Sequence, residues 1–404
     1  MKIIYLHQYF NSPEMAGSTR SYEMARRLVA WGHEVHVVTS WRRPDARRDW
    51  FKETIDGIQV HWLPVPYANA MSFWQRMRAF TRFALRAGSR AARLGGDLVF
   101  ASSTPLTIAV QGFMAARRLR VPMVFEVRDP WPEVPIALGV LRNLLLKFAA
   151  RCLERFAYRN SARVVALSDG MRANVTAAGY PANRVAVIPN CADLALFAPT
   201  EEGARRFRAA HPELGHGPIL LYPGALGRVN GVAYLARLAH GLLAVRPDIR
   251  IVVIGEGAEQ VLVRTRAEQH GVLGVNFFMY PPQPKRVLVD AFSAASAIVS
   301  LCIDVPALWA NSANKFFDAL AAGRAVAINY RGWQAELLHD NHAGIVLPPD
   351  PAAAVASLLD FMASAQEVAA CGAAARRLAE QRFSRDVLAR QLEGVLLDAA
   401  GAAR

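Results

Sequence analysis

Short apolar runs of strand length alternate with stretches of helical periodicity along almost the whole chain, and the series is run through twice. Ile3-Ile4-Tyr5-Leu6 has the pattern of a buried strand, and a polar loop follows over residues 7–20. Residues 19–31 then place Tyr22, Met24, Ala25 and Leu28 at helical spacing, Gly32-His33 stops the helix, and 34–39 is a second strand. Strands joined through helices predict a parallel sheet covered on both faces rather than a bundle or an antiparallel sandwich. Further strand patterns fall at 57–63, 97–101, 121–127, 163–167 and 185–188, then at 219–222, 249–254, 275–279, 297–301 and 325–329. Between the two series, residues 194–217 carry charged runs and Gly215-His216-Gly217-Pro218, and read as a crossing between domains. The expected architecture is α/β: two Rossmann-like domains, 1–195 and 196–383, with a tail helix in 384–404 crossing back to the first.

Composition narrows the function classes. The 404 residues carry a formal charge of +14, which calls for an anionic partner: nucleic acid, anionic lipid or a phosphorylated substrate. No nucleic-acid reader motif accompanies the charge. No GxGxxG follows the first strand, which disfavours a nicotinamide enzyme. The four cysteines are scattered without metal-like spacing and read as reduced core thiols of a cytoplasmic protein. The apolar run at the N-terminus is too short for a signal peptide, and the longest uncharged stretch, 98–116, is broken by serine, threonine and proline.

Chemistry concentrates in a few loops at strand ends. Residues 311–323 read as a loop entering a helix, with Asn311 or Ser312 as cap, Phe316, Phe317 and Leu320 facing a core, and Gly323 as the left-handed stop. Asn314, Lys315 and Asp318 lie at its start. A cation and free amides there can hold phosphate, and a carboxylate can accept from ribose hydroxyls; an ordinary surface ion pair would have the same spacing. Lysine is scarce, at 2, 52, 147, 285 and 315 only, so a lysine kept at 315 favours a need for a compact cation. The turn after 219–222, with Gly224, Arg228 and Gly231 ahead of a helix, suits phosphate as well. Gly17 lies where backbone can approach a ligand beyond the first strand. Glu126-Val127-Arg128-Asp129-Pro130-Trp131-Pro132-Glu133 is either a site loop or a salt-bridged corner. Two helices are basic and amphipathic. Residues 71–94 carry Trp74 and a stripe of Arg78, Arg82 and Arg86 without acidic partners. Residues 141–158 set Leu141, Leu144, Leu145, Phe148, Cys152 and Phe156 on one side and Lys147, Arg151 and Arg155 on the other. Either could be a core helix with a solvated face or lie on an anionic membrane.

In this order, the segments 11–26, VFEVRDPWPE at 124–133, VVALSDGM at 164–171, VAVIPNCADLALF at 185–197, IVVIGEGAE at 251–259 and NKFFDALAAG at 314–323 resemble glycosyltransferase family 4, most closely its O-antigen and colanic-acid type members. The resemblance implies two Rossmann-like domains facing across a cleft (the B-type fold), with a nucleotide-sugar donor on the second domain and the acceptor on the first. It implies transfer with retention, with UDP as nucleotide and an N-acetylated sugar, and no required metal or other cofactor. The implied acceptor is a lipid-linked sugar or lipopolysaccharide at the cytoplasmic face of the inner membrane. Asp318 matches the second acid of the family's Glu-x7-Glu motif, but its first acid falls on Ala310. The usual arginine and lysine of the phosphate motif fall on Ala225 and Asn230, so Arg228 and Lys315 are the candidate replacements. Gly17 and Ser18 would approach the diphosphate, and Met279 or Tyr280 the base. The family's histidine falls near Arg128, leaving Asp129 as the nearest carboxylate for catalysis. A nucleotide-sugar 2-epimerase on the same scaffold, or a non-catalytic membrane-associated partner, fits the same features.

Overall fold

The structure, a computed structural model, describes residues 1–15, 17–43, 46–65 and 73–402, with side chains in the last run from residue 81 onward. The chain divides into two compact units, one made of Met1–Pro189 with Asp386–Arg404 and the other of Asn190–Arg385.

Unit 1 is built on eight strands: β1 (Lys2–Leu6), β2 (Glu34–Trp41), β3 (Phe51–Ile55), β4 (Ile58–Pro64), β5 (Leu98–Ser102), β6 (Met123–Val127), β7 (Arg163–Ala166) and β8 (Val185–Val187). They lie in the order β3-β4-β2-β1-β5-β6-β7-β8. All neighbours are parallel except β3 and β4. The central strands are apolar over most of their length because helices cover both faces: Ile3, Ile4, Tyr5, Val99, Phe100, Val124 and Phe125 are all buried, and polar residues such as Ser102 and Glu126 come only toward the carboxyl ends. β3 was not anticipated. Its signal is the Asp56-Gly57 pair, where both residues take positive φ and Ile55 pairs with Ile58 in a two-residue hairpin. The tail helix, Arg385–Gly401, is fixed on unit 1 by Arg27–Asp386, His33–Glu393 and Arg163–Asp398 contacts of 2.6, 2.9 and 2.6 Å, and Arg390 lies 3.6 Å over the Trp31 ring.

Unit 2 has six parallel strands, β9 (Ile219–Pro223), β10 (Arg250–Ile254), β11 (Phe277–Tyr280), β12 (Ala297–Ser300), β13 (Ala325–Ile328) and β14 (Gly344–Val346), in the order β11-β10-β9-β12-β13-β14. Leu220, Tyr222, Val253, Val299 and Ala327 sit in one core with Leu235, Leu238 and Leu358 from the flanking helices. Much of the stretch read as a crossing is instead a packed helix, Glu201–Ala210. Thr200 caps it by accepting from the Gly203 amide, and Arg206 grips both oxygens of Asp290 at 2.7 and 2.9 Å. Its charges had masked an ordinary N-terminal capping sequence.

Two other expectations change. The cysteines are not core thiols: Cys152 is exposed and Cys191, Cys302 and Cys371 are half-buried. The arginine stripe of the helix Phe73–Leu94 does have partners. Arg86 pairs with Asp49, Arg82 donates to the Arg48 carbonyl at 3.1 Å, and Arg90 lies 3.1 Å from His61 Nδ1 and over Trp50. The partners sit in a loop remote in sequence, so helical spacing alone missed them. The Trp74 and Arg78 side chains fall outside the described residues. No single helix among those described is long and apolar enough to cross a membrane.

Candidate functional site

In an open parallel sheet the loops beyond the carboxyl ends of the strands are the natural ligand position. In unit 2 these are the 223–231 turn after β9, the 255–259 turn after β10, and the 301–313 loop between β12 and the helix Asn314–Ala321. The first two turns are pressed together: Gly224 N donates to Ile254 O at 2.9 Å and Leu226 N to Glu256 O at 2.8 Å. A Cβ on Gly255 would stand 1.9 Å from the Gly224 carbonyl oxygen, so only glycine allows this approach.

Lys315 reaches back from the helix start into that corner. Its Nζ donates to Tyr222 Oη at 2.8 Å and Asn230 Oδ1 at 3.2 Å and lies 4.3 Å from the Tyr222 ring centre. A Cβ on Gly224 would be 3.2 Å from the same nitrogen. Tyr222 Oη in turn donates to the Ala225 carbonyl, as does Asn230 Nδ2, so the acceptors that hold the ammonium are themselves fixed. Among the described residues Lys315 pairs with no carboxylate, and burial pushes its pKa down to about 7. The helix start is uncapped. Ala313 holds the cap position and its side chain makes no cap bond, because Ser312 Oγ accepts from the Asn190 amide instead, and Asn311 Oδ1 from Ser312 N. The expected Asn311 or Ser312 cap is therefore absent, and the first amides, including that of Asn314, retain their positive field. Gly323 does close the helix, at φ 57°.

Lys315 and Asp318 are not partners. One turn further along the helix, Asp318 faces Lys285, whose Nζ donates to its two carboxylate oxygens at 2.9 and 2.7 Å. Each oxygen keeps acceptor capacity for a hydroxyl. Lys285 was legible in principle, as one of only five lysines, but lies 33 residues away in sequence. Arg228 is exposed on the β9 turn, and its side chain makes no hydrogen bond or ion pair with the described residues. Met279 and Tyr280 end the edge strand β11, two strands and about 10 Å from β9. Tyr280 is turned to Glu213, 2.5 Å from its hydroxyl, with its ring 4.2 Å from that of His211.

In unit 1 a second constellation lies beyond β1, β5 and β6. Arg128 donates to His7 Nε2 at 3.0 Å and to Ser18 Oγ at 3.1 Å, and its amide donates to Ser103 Oγ. His7 Nδ1 is 3.2 Å from the Ser102 carbonyl, which only accepts, so the proton is on Nδ1 and Nε2 accepts from Arg128. Burial, then the neighbouring Arg128 charge, lowers the His7 pKa to about 3 and keeps the ring neutral. Gly17, beside Ser18, takes φ 125°, and a Cβ there would come within 2.7 Å of Asn11 Nδ2. Asp129 accepts from Thr104 Oγ1 at 2.6 Å. Beneath them Glu126 is wholly buried. Burial raises its pKa, but Arg20 at 2.9 and 3.0 Å, Arg128, and the Ser102 hydroxyl at 2.6 Å outweigh that and leave it below the usual carboxylate range. Arg20 also donates to the carbonyls of Ile188 and Pro189. The charged loop thus divides: Glu126 is structural, while Arg128 and Asp129 stand above it. His7, Arg20, Lys285, Tyr222 and Asn230 were missed as members of these clusters. His7 and Tyr222 sit at strand ends, Asn230 lies in the turn after β9, and Arg20 and Lys285 open the helices that follow β1 and β11.

Both units match known families in sequence. Residues 16–191 match the glycosyl transferase 4-like domain and residues 204–378 match glycosyl transferases group 1. Alpha-maltose-1-phosphate synthase of Mycolicibacterium smegmatis is 29% identical over 210 residues, 49% of this chain and 51% of that protein, so the match spans about half of its length. Among solved structures, Anabaena HepE in complex with UDP and glucose superposes at a TM-score of 0.73 with 16% identity, covering 98% of this chain and 100% of that one. WaaG, described as a glycosyltransferase involved in lipopolysaccharide biosynthesis, gives 0.71 with 15% identity, covering 98% and 99%. These structural likenesses carry the fold. With both of its units matched in sequence, the chain belongs to the group 1 glycosyltransferases, with a glycosyl transferase 4-like domain ahead of the group 1 domain.

Proposed function

We propose that this chain is a retaining hexosyltransferase that moves a sugar, of N-acetylated hexosamine type, from a UDP-linked donor to a lipid-linked or lipopolysaccharide acceptor. It would act in bacterial surface polysaccharide synthesis at the cytoplasmic face of the inner membrane, without a metal. The carrying observation is Lys315: a lysine with no carboxylate partner, held by Tyr222 and Asn230 against a glycine turn and an uncapped helix start. Such a corner is short of one anion. A nucleoside diphosphate supplies it, and Lys315 beside Asn230 brings a cation to the position where family members carry their own lysine. Arg228 adds a second, mobile cation, Asp318 accepts from ribose, and Met279 or Tyr280 meets the base.

In the transfer, the bond from the anomeric carbon to the diphosphate oxygen breaks and the leaving group gains negative charge. Lys315 and the helix amides stabilise that charge more than they stabilise the intact donor. The acceptor hydroxyl forms the new bond and passes its proton to the departing diphosphate oxygen. Within unit 1, Arg128 and Asp129 are the proposed catalytic groups. The HepE complex with UDP and the lipopolysaccharide role of WaaG support the donor and acceptor classes. A thermal-shift screen with UDP, GDP, TDP and CMP tests the reading: a shift with UDP, lost in Lys315→Ala, is expected. An unaltered response in that variant, or no response to any nucleotide, would overturn it.

A further inference from the structure

We propose that the first turns of the helix Leu144–Arg159, and not the arginine stripe of Phe73–Leu94, form the surface that docks this protein on an anionic lipid bilayer; the proposal rests on the membrane-surface reading above. Val140, Leu144, Leu145, Leu146 and Phe148 are 69, 78, 76, 56 and 67% exposed, five large apolar side chains within nine residues, where other described helices expose one or two, such as Leu85 or Val261 and Leu262. The patch is built rather than frayed. Asn143 caps the helix by accepting from Leu145 N at 2.8 Å and Leu146 N at 3.3 Å, so the turn needs no partner to satisfy its amides. At the other end the helix is rooted: Ala157 and Tyr158 are buried, and the Phe156 ring meets Phe113 at 5.1 Å. Leu144, Leu145, Phe148 and the exposed Cys152 follow one side of the helix.

Charge selects the occupant. Between Glu133 and Glu154 there is no acidic residue, while Arg142, Lys147 and Arg151 flank the apolar side chains. Arg151 shares a cleft with Glu133 and Glu154, but Arg142 and Lys147 have no ion-pair partner among the described residues, so a second copy of the same face would set those two cations against their like, whereas an anionic headgroup layer neutralises them and takes up the leucine and phenylalanine side chains. On the helix Phe73–Leu94 three of the four cations with described side chains are already engaged, Arg86 with Asp49, Arg82 with a carbonyl and Arg90 with His61, which leaves only the exposed Arg93 at its end for headgroups.

Flotation of the full chain with phosphatidylglycerol-containing vesicles and with pure phosphatidylcholine vesicles tests this, with UDP binding measured alongside. The wild type should float with the anionic vesicles only. Leu144→Ser/Leu145→Ser/Phe148→Ser should weaken partition by at least about 30-fold, given what burying three large apolar side chains contributes. Lys147→Glu/Arg151→Glu should also weaken it, and Arg82→Ala/Arg86→Ala should leave it unchanged. All three serine positions face solvent, so an unaltered thermal midpoint and UDP affinity should confirm that the variant is folded. Flotation of the triple serine variant equal to wild type overturns the proposal. So does a wild type that ignores vesicles but forms dimers, by light scattering, that the triple variant dissolves. A chain that binds UDP but no vesicles sinks the docking surface alone; one that floats but binds no nucleotide sinks the donor reading alone.

Discussion

Lys315→Met should make the protein more stable and less able to hold its donor. An ammonium enclosed beside Tyr222 with no carboxylate costs folding free energy, as its pKa of about 7 against an ordinary 10.5 records. At 1.36 kcal/mol per decade this difference amounts to about 5 kcal/mol. Partial exposure of the side chain and loss of the bonds to Tyr222 and Asn230, about 1 kcal/mol each, reduce the expected gain to roughly 1–3 kcal/mol. The sign with pH follows from proton counting. Between about 7 and 10.5 the unfolded chain holds one more proton on this lysine than the folded chain, so wild-type stability rises with pH across that window. The advantage of methionine is therefore full below pH 7 and fades toward pH 10. In thermal unfolding of the protein at pH 6, the midpoint of unit 2 should rise by about 2–10 °C. At the same pH, calorimetry with UDP should show affinity at least about 30-fold weaker, as a charge-assisted contact to phosphate is lost. A midpoint at pH 6 that falls, with UDP affinity retained, would refute both the burial argument and the site.

Because Lys315 titrates near neutrality, UDP should bind more weakly as pH rises from 7 to 9, with proton uptake seen as a dependence of calorimetric heat on buffer ionisation enthalpy; pH-independent binding would contradict it. Glu126→Gln leaves the buried Arg20 without its counter-charge and should cost about 3–5 kcal/mol in urea unfolding of unit 1, with UDP affinity in unit 2 unchanged. Gly255→Ala, whose Cβ would overlap the Gly224 carbonyl, should cost about 2–3 kcal/mol and loosen nucleotide binding by displacing the turn that faces Lys315, read by thermal shift with and without UDP. His7 is neutral above about pH 4, so turnover should show no inflection near pH 6.5, and His7→Asn should change kcat without adding one.

The parallel α/β layers were legible because they rest on local pattern: apolar runs such as 3–6 and 251–254 at strand length, followed by helical spacing. β3 was harder to see. Phe51-Lys52-Glu53-Thr54-Ile55 is a polar edge strand, and only the Asp56-Gly57 turn announces it. The helix start at Lys315 was also legible, since a loop, a scarce lysine and a terminal glycine are all local. Its environment was not. Tyr222 and Asn230 lie 93 and 85 residues away, and nothing in the spacing says that Lys315 turns toward them while Asp318 turns toward Lys285. The same holds for His7, whose role depends on Arg128 at a separation of 121 residues. Contacts of this kind belong to the order of strands in the sheet rather than to any one segment.

The attachment of residues 386–401 to unit 1 has a consequence for synthesis. Unit 2 is in effect an insertion between two pieces of the same folding unit, so it can close on itself while unit 1 still lacks its last helix. Until residues 386–401 have left the ribosome, Trp31 is without Arg390, His33 without Glu393, and Arg163 without Asp398. The domain whose strands are made first is thus completed last, and a shortened C-terminus would be felt at the amino-terminal sheet.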